Sequence, residues 1–133
     1  MKKLTVSKLK KKLDKIYSIY IRLRDCKALG YYDKGLCFTC GKMYDFKDLQ
    51  CGHYIPRSHN NTRYLEFNTH SQCRGCNIFK SGAMDVYALA LQAKYGKNIL
   101  KKLNKLKNVL KQFTVPELET LIEIYEEKTK ELQ

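Results

Sequence analysis

Two cysteine pairs, Cys37-x-x-Cys40 and Cys73-x-x-Cys76, constrain this chain more than any other feature. A C-x2-C step puts two thiolates on one tight turn, and two such turns can close a tetrahedral site around a single zinc ion. Any fold that forms must bring residues 37–40 and 73–76 together and wrap the intervening segment around them. A disulfide framework is the weaker reading, because it needs an oxidising compartment. The chain opens Met1-Lys2-Lys3 and then mixes lysines with leucines, which is not the uninterrupted apolar stretch of a secretion signal. A cytoplasmic location is expected, with redox pairing or chance packing as the other uses of the four thiols. Cys26 and Cys51 are expected to be buried thiols rather than ligands, Cys51 being the one close to His53.

Charge narrows the partners. The chain has 133 residues with 26 Lys and Arg against 13 Asp and Glu, a formal net charge of +13. Such a field attracts polyanions. Lys2 to Lys27 and Lys94 to Lys111 hold most of the cations, and Glu117 to Glu131 nearly half of the acids. Each lysine run alone reads as a solvated helix face; beside two metal knuckles they point to nucleic acid. No apolar run approaches the ~18 residues of a membrane span. The length suits one domain with extensions.

Leu9, Leu13, Ile16, Tyr17, Tyr20 and Leu23 recur at three- and four-residue steps, which predicts a helix over 7–27. Gly30 and Tyr31-Tyr32-Asp33-Lys34-Gly35 break that period ahead of the first knuckle. Leu49 to Ile55 reads as extended, Pro56 to Thr62 as a loop and Arg63 to Phe67 as a returning strand, together a β-hairpin. A short helix is expected from Cys76 through Lys80. A further helix over Val86 to Lys94 is expected to be capped by Asp85 and stopped by Gly96. Another runs from Ile99 to Leu110. Thr114-Val115-Pro116-Glu117 has the form of a capping box for a last helix, whose acidic side can lie against the lysine-rich helix before it. The resulting fold class is α+β, with a small ββα core stapled by a four-cysteine zinc site and flanked by an N-terminal helix and C-terminal helices. Residues 1–30 form the basic N-terminal helix, 31–96 the stapled core and 97–133 a C-terminal helical hairpin extending the same domain.

Between the knuckles lies Gly52-His53, with Asn68 fifteen residues later and Asn77 directly after Cys76. These types suit phosphodiester hydrolysis. A neutral imidazole, with a reference pKa of ~6.5, can take a proton from water. An amide oxygen can hold a hard cation, Mg2+ or Mn2+, against the substrate phosphate. His53 is the candidate base, Asn77 the candidate ligand of the catalytic metal, and Asn68 the residue that pins the loop. His70 can line the site. Arg57, Arg63 and Lys80 are candidates for phosphate contacts, and Tyr54 is the tyrosine expected to approach DNA. A bland reading stands beside each: a lone histidine is usually structural, and these three cations are ordinary surface residues.

The order His, Asn, Asn resembles HNH or His-Me finger nucleases, which implies that the stapled core is a ββα-metal (HNH-type) core. Cys37-x-x-Cys40-Gly41, Gly52-His53-Tyr54, the run Arg63 to His70, Gln72-Cys73-x-x-Cys76-Asn77, Lys80-Ser81-Gly82, Tyr87 and Tyr95-Gly96 resemble, within that group, the phage NinG/Rap recombination proteins. The resemblance covers about Cys37 to Gln133. It implies a Mg2+- or Mn2+-dependent endonuclease acting on branched recombination intermediates such as Holliday junctions and D-loops, inside the bacterial host of a phage. Many HNH nucleases carry an aspartate directly before the catalytic histidine; this chain has Gly52, and some relatives have an acid where Gln50 stands. Other readings are a non-catalytic zinc module that binds nucleic acid, a general or homing-type nickase, and a C-terminal region that forms a homodimer.

Overall fold

The computed structural model describes residues 4–133, so Lys2 and Lys3, the first of the basic run, lie outside the described residues. Helix α1 spans Val6–Ala28 and is capped by the Thr5 side chain, which accepts from the Lys8 amide at 3.2 Å. Its buried stripe is Leu9, Leu13, Tyr17, Tyr20, Ile21, Leu23 and Cys26, the face that the period predicts. Strands β1, Lys34–Leu36, and β2, Met43–Asp45, pair antiparallel and carry the first knuckle between them. A second antiparallel pair follows, β3, Leu49–His53, and, after helix α2, Asn60–Arg63, strand β4, Thr69–Cys73, with Leu49 opposite Cys73 and His53 opposite Thr69. A π-helical turn over Gly75–Phe79 leads to α3, Met84–Tyr95, α4, Ile99–Lys107, and α5, Val115–Leu132.

The β3–β4 hairpin lies between two hydrophobic clusters. On one side, Leu9, Leu13, Tyr17, Tyr20 and Ile21 of α1 meet Leu118, Ile122 and Tyr125 of α5. Tyr17 packs edge-on to Tyr64 at 5.4 Å and to Tyr125 at 4.9 Å, contacts of about 0.5–1.5 kcal/mol each beyond area burial. On the other side, Tyr87, Leu91, Ile99 and Leu103 of α3 and α4 enclose Ile55. Side-chain bonds then tie α1 to the hairpin. The Tyr17 hydroxyl lies 2.7 Å from Thr69 Oγ1, Arg24 donates to the Glu66 and Thr69 carbonyls, and Asp25 accepts from the Ser71 amide at 2.8 Å. All five residues of β4 are therefore buried.

Four expectations are corrected. The return strand is Thr69–Cys73 and not Arg63–Phe67; helix α2 and a 3-10 turn at Glu66–Asn68 occupy the earlier segment. Asp85 makes no cap, because α3 starts two residues earlier than expected, at Met84 behind Ala83; Asp85 sits in the first turn, where a carboxylate complements the helix dipole. Helix α4 ends at Lys107, leaving Leu110 fully exposed. Lastly, α5 lies along α1, while α4 lies against α2 and α3, so no C-terminal hairpin forms. The loop after α4 crosses to the first cluster, where Phe113 packs on Tyr64, and an ion pair from Lys111 to Glu117 joins it to the start of α5.

Candidate metal centre and cleft

The fold brings the two cysteine pairs together. The sulfurs of Cys37, Cys40, Cys73 and Cys76 all lie within 4.8 Å of one another, with Cys40 and Cys73 at 3.9 Å. Zinc–thiolate bonds of about 2.3 Å in a tetrahedron set neighbouring sulfurs on the order of 3.8 Å apart, so the arrangement has the right size for that ion. Within each knuckle an amide leans on the first sulfur, Cys40 N–H to Cys37 Sγ at 3.5 Å and Cys76 N–H to Cys73 Sγ at 3.4 Å. Burial raises the Cys37 thiol, but hydrogen bonds from Cys40 and Thr39 outweigh it and bring the pKa down to about 6. Burial, together with the sulfurs of Cys73 and Cys37, holds Cys76 up at about 12. Four sulfurs this close can all ionise only around a cation. Among the described residues, this is the cluster of His, Cys, Asp and Glu side chains that can hold a metal ion.

A cleft of about 400 Å³ opens beside it, lined by Asp14, Tyr17 and Ser18 of α1, Cys51 and His53 of β3, Arg57, and Asn77 of the π-helical turn. His53 Nε2 lies 3.0 Å from the Arg63 carbonyl. A carbonyl only accepts, so Nε2 carries the proton and Nδ1 is the bare nitrogen. Burial, aided by the charges of Arg57 and Arg63, pushes the imidazole pKa down to about 4 and keeps the ring neutral at pH 7. Asn77 donates from Nδ2 to Gln50 Oε1 at 2.8 Å, an assignment that leaves Oδ1 free to accept or ligate. Asn68 is fully buried and bonds to backbone alone: Oδ1 accepts from Ile55 N–H at 2.8 Å, and Nδ2 donates to the carbonyls of Ile55 and Thr62 at 3.1 Å each. It thereby pins the loop after His53.

The other expected site residues divide. Arg57 is largely exposed and lines the cleft, 3.5 Å from Asp14. Arg63 is already committed, with Nε and Nη2 bonding Asp14 at 3.1 and 2.5 Å and Nη1 bonding the Arg57 carbonyl. His70 is fully buried outside the cleft. It stacks on Phe38 at 3.9 Å, with the Tyr87 hydroxyl 3.1 Å from Nδ1 and the Tyr95 hydroxyl 2.7 Å from Nε2. Its place is in the core. Lys80 is exposed beyond the π-helical turn, outside the group that lines the cleft. Tyr54 packs on Tyr87 in the second cluster, and the exposed aromatic next to Asn77 is Phe79.

Sequence reasoning missed Asp14, and marked Gln50 only as a position where some relatives carry an acid, not as the partner of Asn77. Asp14 is the first acid in a helix otherwise studded with lysines, and that isolation was the available signal. The absence of an acid before His53 also has a physical cause. A Cβ on Gly52 would stand 1.9 Å from Gln72 Oε1, and Gln72 is fixed by bonds to Thr39 and the Gly82 carbonyl. No side chain fits there unless Gln72 moves. Beyond the turn, Ser81, Gly82 and Ala83 have φ of 50°, 88° and 49° in succession. For Ser81 and Ala83 this left-handed backbone costs roughly 1–2 kcal/mol each.

Fold and centre together define a small α+β protein organised around a four-cysteine cluster with the geometry to hold a metal ion. The chain belongs to the family described as the bacteriophage lambda NinG protein, whose pattern matches residues 1–133. Nothing matches it among curated proteins or solved structures. Among the described residues, no helix is long and apolar enough to cross a membrane.

Proposed function

We propose that this chain is a metal-dependent DNA endonuclease of the HNH type that hydrolyses phosphodiester bonds in branched recombination intermediates. The observation that carries the reading is the shared cleft, which has a neutral imidazole, a free amide oxygen and an exposed guanidinium on its walls. A β-hairpin whose first strand ends at His53 and whose second leads into the helical turn bearing Asn77 supports it, as does membership of a phage family.

In this reading His53 Nδ1 accepts the proton of the attacking water, while the Arg63 carbonyl holds the ring by Nε2–H and fixes the tautomer. Asn77 Oδ1, oriented by Gln50, is the oxygen that holds a hard divalent cation. The cation, when bound, stabilises charge on the phosphate and the leaving oxygen. Arg57 meets the phosphate, and Asn68 keeps the loop after His53 in place. The four-cysteine site anchors the turn that presents Asn77.

The test is incubation of the zinc-bound protein with labelled linear, flap and four-way-junction DNA, with and without Mg2+ or Mn2+, beside His53→Ala. Metal-dependent cuts confined to branched DNA are expected, with a loss of about 10²–10⁴-fold in the variant. Undiminished cleavage by His53→Ala removes the base assignment, and salt-sensitive binding without any cleavage favours a non-catalytic zinc module.

A further inference from the structure

Phe79 is 74% exposed and its neighbour Ile78 50% exposed. A solitary apolar side chain at a surface needs no explanation, but this pair stands on an unusually well-fixed backbone. The π-helical turn is closed by Lys80 N–H to the Gly75 carbonyl at 2.9 Å, Ser81 N–H to Ile78 at 3.1 Å and Gly82 N–H to Cys76 at 2.8 Å. Gln72 holds the Gly82 carbonyl from below, and the left-handed residues Ser81 to Ala83 are kept in a costly conformation. Strain held in place by surrounding bonds is a mark of a functional segment.

Two cations adjoin the pair, one in space and one in sequence. The Arg74 guanidinium lies 5.7 Å from the Phe79 ring centre and Lys80 is adjacent, while no acid occurs between Glu66 and Asp85. The same turn gives Asn77 to the cleft, two residues before Phe79. A strand whose phosphate occupied the cleft would run past the turn that carries this pair.

We infer that Ile78 and Phe79 form an apolar wedge that stacks on a nucleobase left open at a branch point of DNA, and so give the chain its preference for branched over linear substrates. This rests on the nuclease reading for the phosphate's place in the cleft. The physical basis is general: aromatic rings stack on any base face, and an apolar wedge can enter an intact duplex only by unstacking a step. A junction offers that step already open.

The test uses zinc-bound protein without added Mg2+ or Mn2+, so that nothing is cut. A four-way junction and a matched linear duplex each carry 2-aminopurine, at the branch in the junction, and affinity and fluorescence are read at one fixed salt concentration. The wild-type protein is expected to bind the junction about 10-fold more tightly and to change its 2-aminopurine emission. Phe79→Ala should lose most of that preference and signal while keeping its linear-duplex affinity, Phe79→Trp should retain both, and Arg74→Ala should weaken binding to both DNAs alike. Equal wild-type affinities, or an unchanged preference in Phe79→Ala and in Ile78→Ala/Phe79→Ala, would overturn the wedge. So would a wild-type dimer that Phe79→Ala splits with junction preference intact, because the pair would then be a self-association surface. If Phe79→Ala loses the preference but no metal produces cleavage, the wedge stands and the nuclease reading fails; cleavage selective for branches in Phe79→Ala gives the reverse.

Discussion

Asp14 sits at the start of a chain of contacts that ends on the imidazole. Its carboxylate holds the Arg63 guanidinium and accepts from the Tyr64 hydroxyl at 2.8 Å, and the Arg63 carbonyl in turn holds His53 Nε2. Asp14→Ala is expected to cost about 1–3 kcal/mol in urea unfolding, since it strands a half-buried guanidinium and a phenol together. Gly52 makes a second prediction at this scale. Gly52→Ala should destabilise by about 1–3 kcal/mol through its clash with Gln72, and Gly52→Ala/Gln72→Ala should recover part of that loss in a double-mutant cycle. The histidines give a third. Burial lowers the His70 pKa to about 2, with Arg24 and Lys94 adding to the effect, and that of His53 to about 4. The unfolded chain takes up protons below about pH 6.5 while these folded sites do not. Stability is then full above that pH and falls as pH drops towards the folded values, by about 1.4 kcal/mol per pH unit for each ring. His70→Phe should flatten the fall in urea midpoint between about pH 6.5 and 4.5 relative to wild type; parallel curves would show that His70 has no part in it. The sequence order made His53, Asn68 and Asn77 visible. It could not distinguish a committed guanidinium such as Arg63 from a free one, or an enclosed ring such as His70 from one at a site, because partners and not residue type decide those roles.

Elements were legible where apolar period and burial agree. Helix α1 and the Thr114 cap of α5 follow from spacing and capping chemistry, and the cap is present, with Thr114 Oγ1 accepting from Glu117 N–H at 3.3 Å. The hairpin's second strand was misplaced for a reason the structure makes plain. Arg-Tyr-Leu-Glu-Phe at 63–67 has the aromatic and aliphatic residues that strands favour, but Asn68 ties Thr62 to Ile55 and folds that segment into short helical turns. The true strand, Thr-His-Ser-Gln-Cys, has no alternation to detect, since helices on both sides bury every residue of it. The cysteine pairing needed only the spacing, and it leads to a prediction about the elements it joins. Purified protein should carry about one zinc per chain, and its removal by chelation, or Cys76→Ser, should free the π-helical turn and lower Tm by on the order of 10 °C or more. A metal-free protein with an unchanged melting curve would contradict a structural role for the four thiols.

At the scale of the whole molecule, the hairpin holds the two clusters together, and Glu66 fastens the turn ahead of β4 to the helices of the first. That carboxylate accepts from Tyr20 of α1 at 3.0 Å and from Tyr125 and Lys128 of α5 at 3.2 and 2.8 Å. Nothing in a single-sequence reading joins position 66 to positions 20 and 128, which is why α5 was expected beside α4. The excess of positive charge gives a further expectation: DNA affinity should fall steeply and log-linearly with salt, by several orders of magnitude between about 50 and 200 mM if about 6–10 phosphates are neutralised. A flat salt response in filter binding would exclude the polyanion reading.

The pairing of α1 with α5 also sets an order of events during synthesis. One wall of the cleft belongs to α1, which leaves the ribosome before α5, yet the apolar face of α1 is covered by residues 115–132, made about a hundred positions later. Domains fold as units while the chain lengthens, so the wall bearing Asp14 and Tyr17 has no firm backing until α5 is free of the exit tunnel. A nascent chain would thus hold its cleft incomplete until residues 115–132 have been made and can pack on α1.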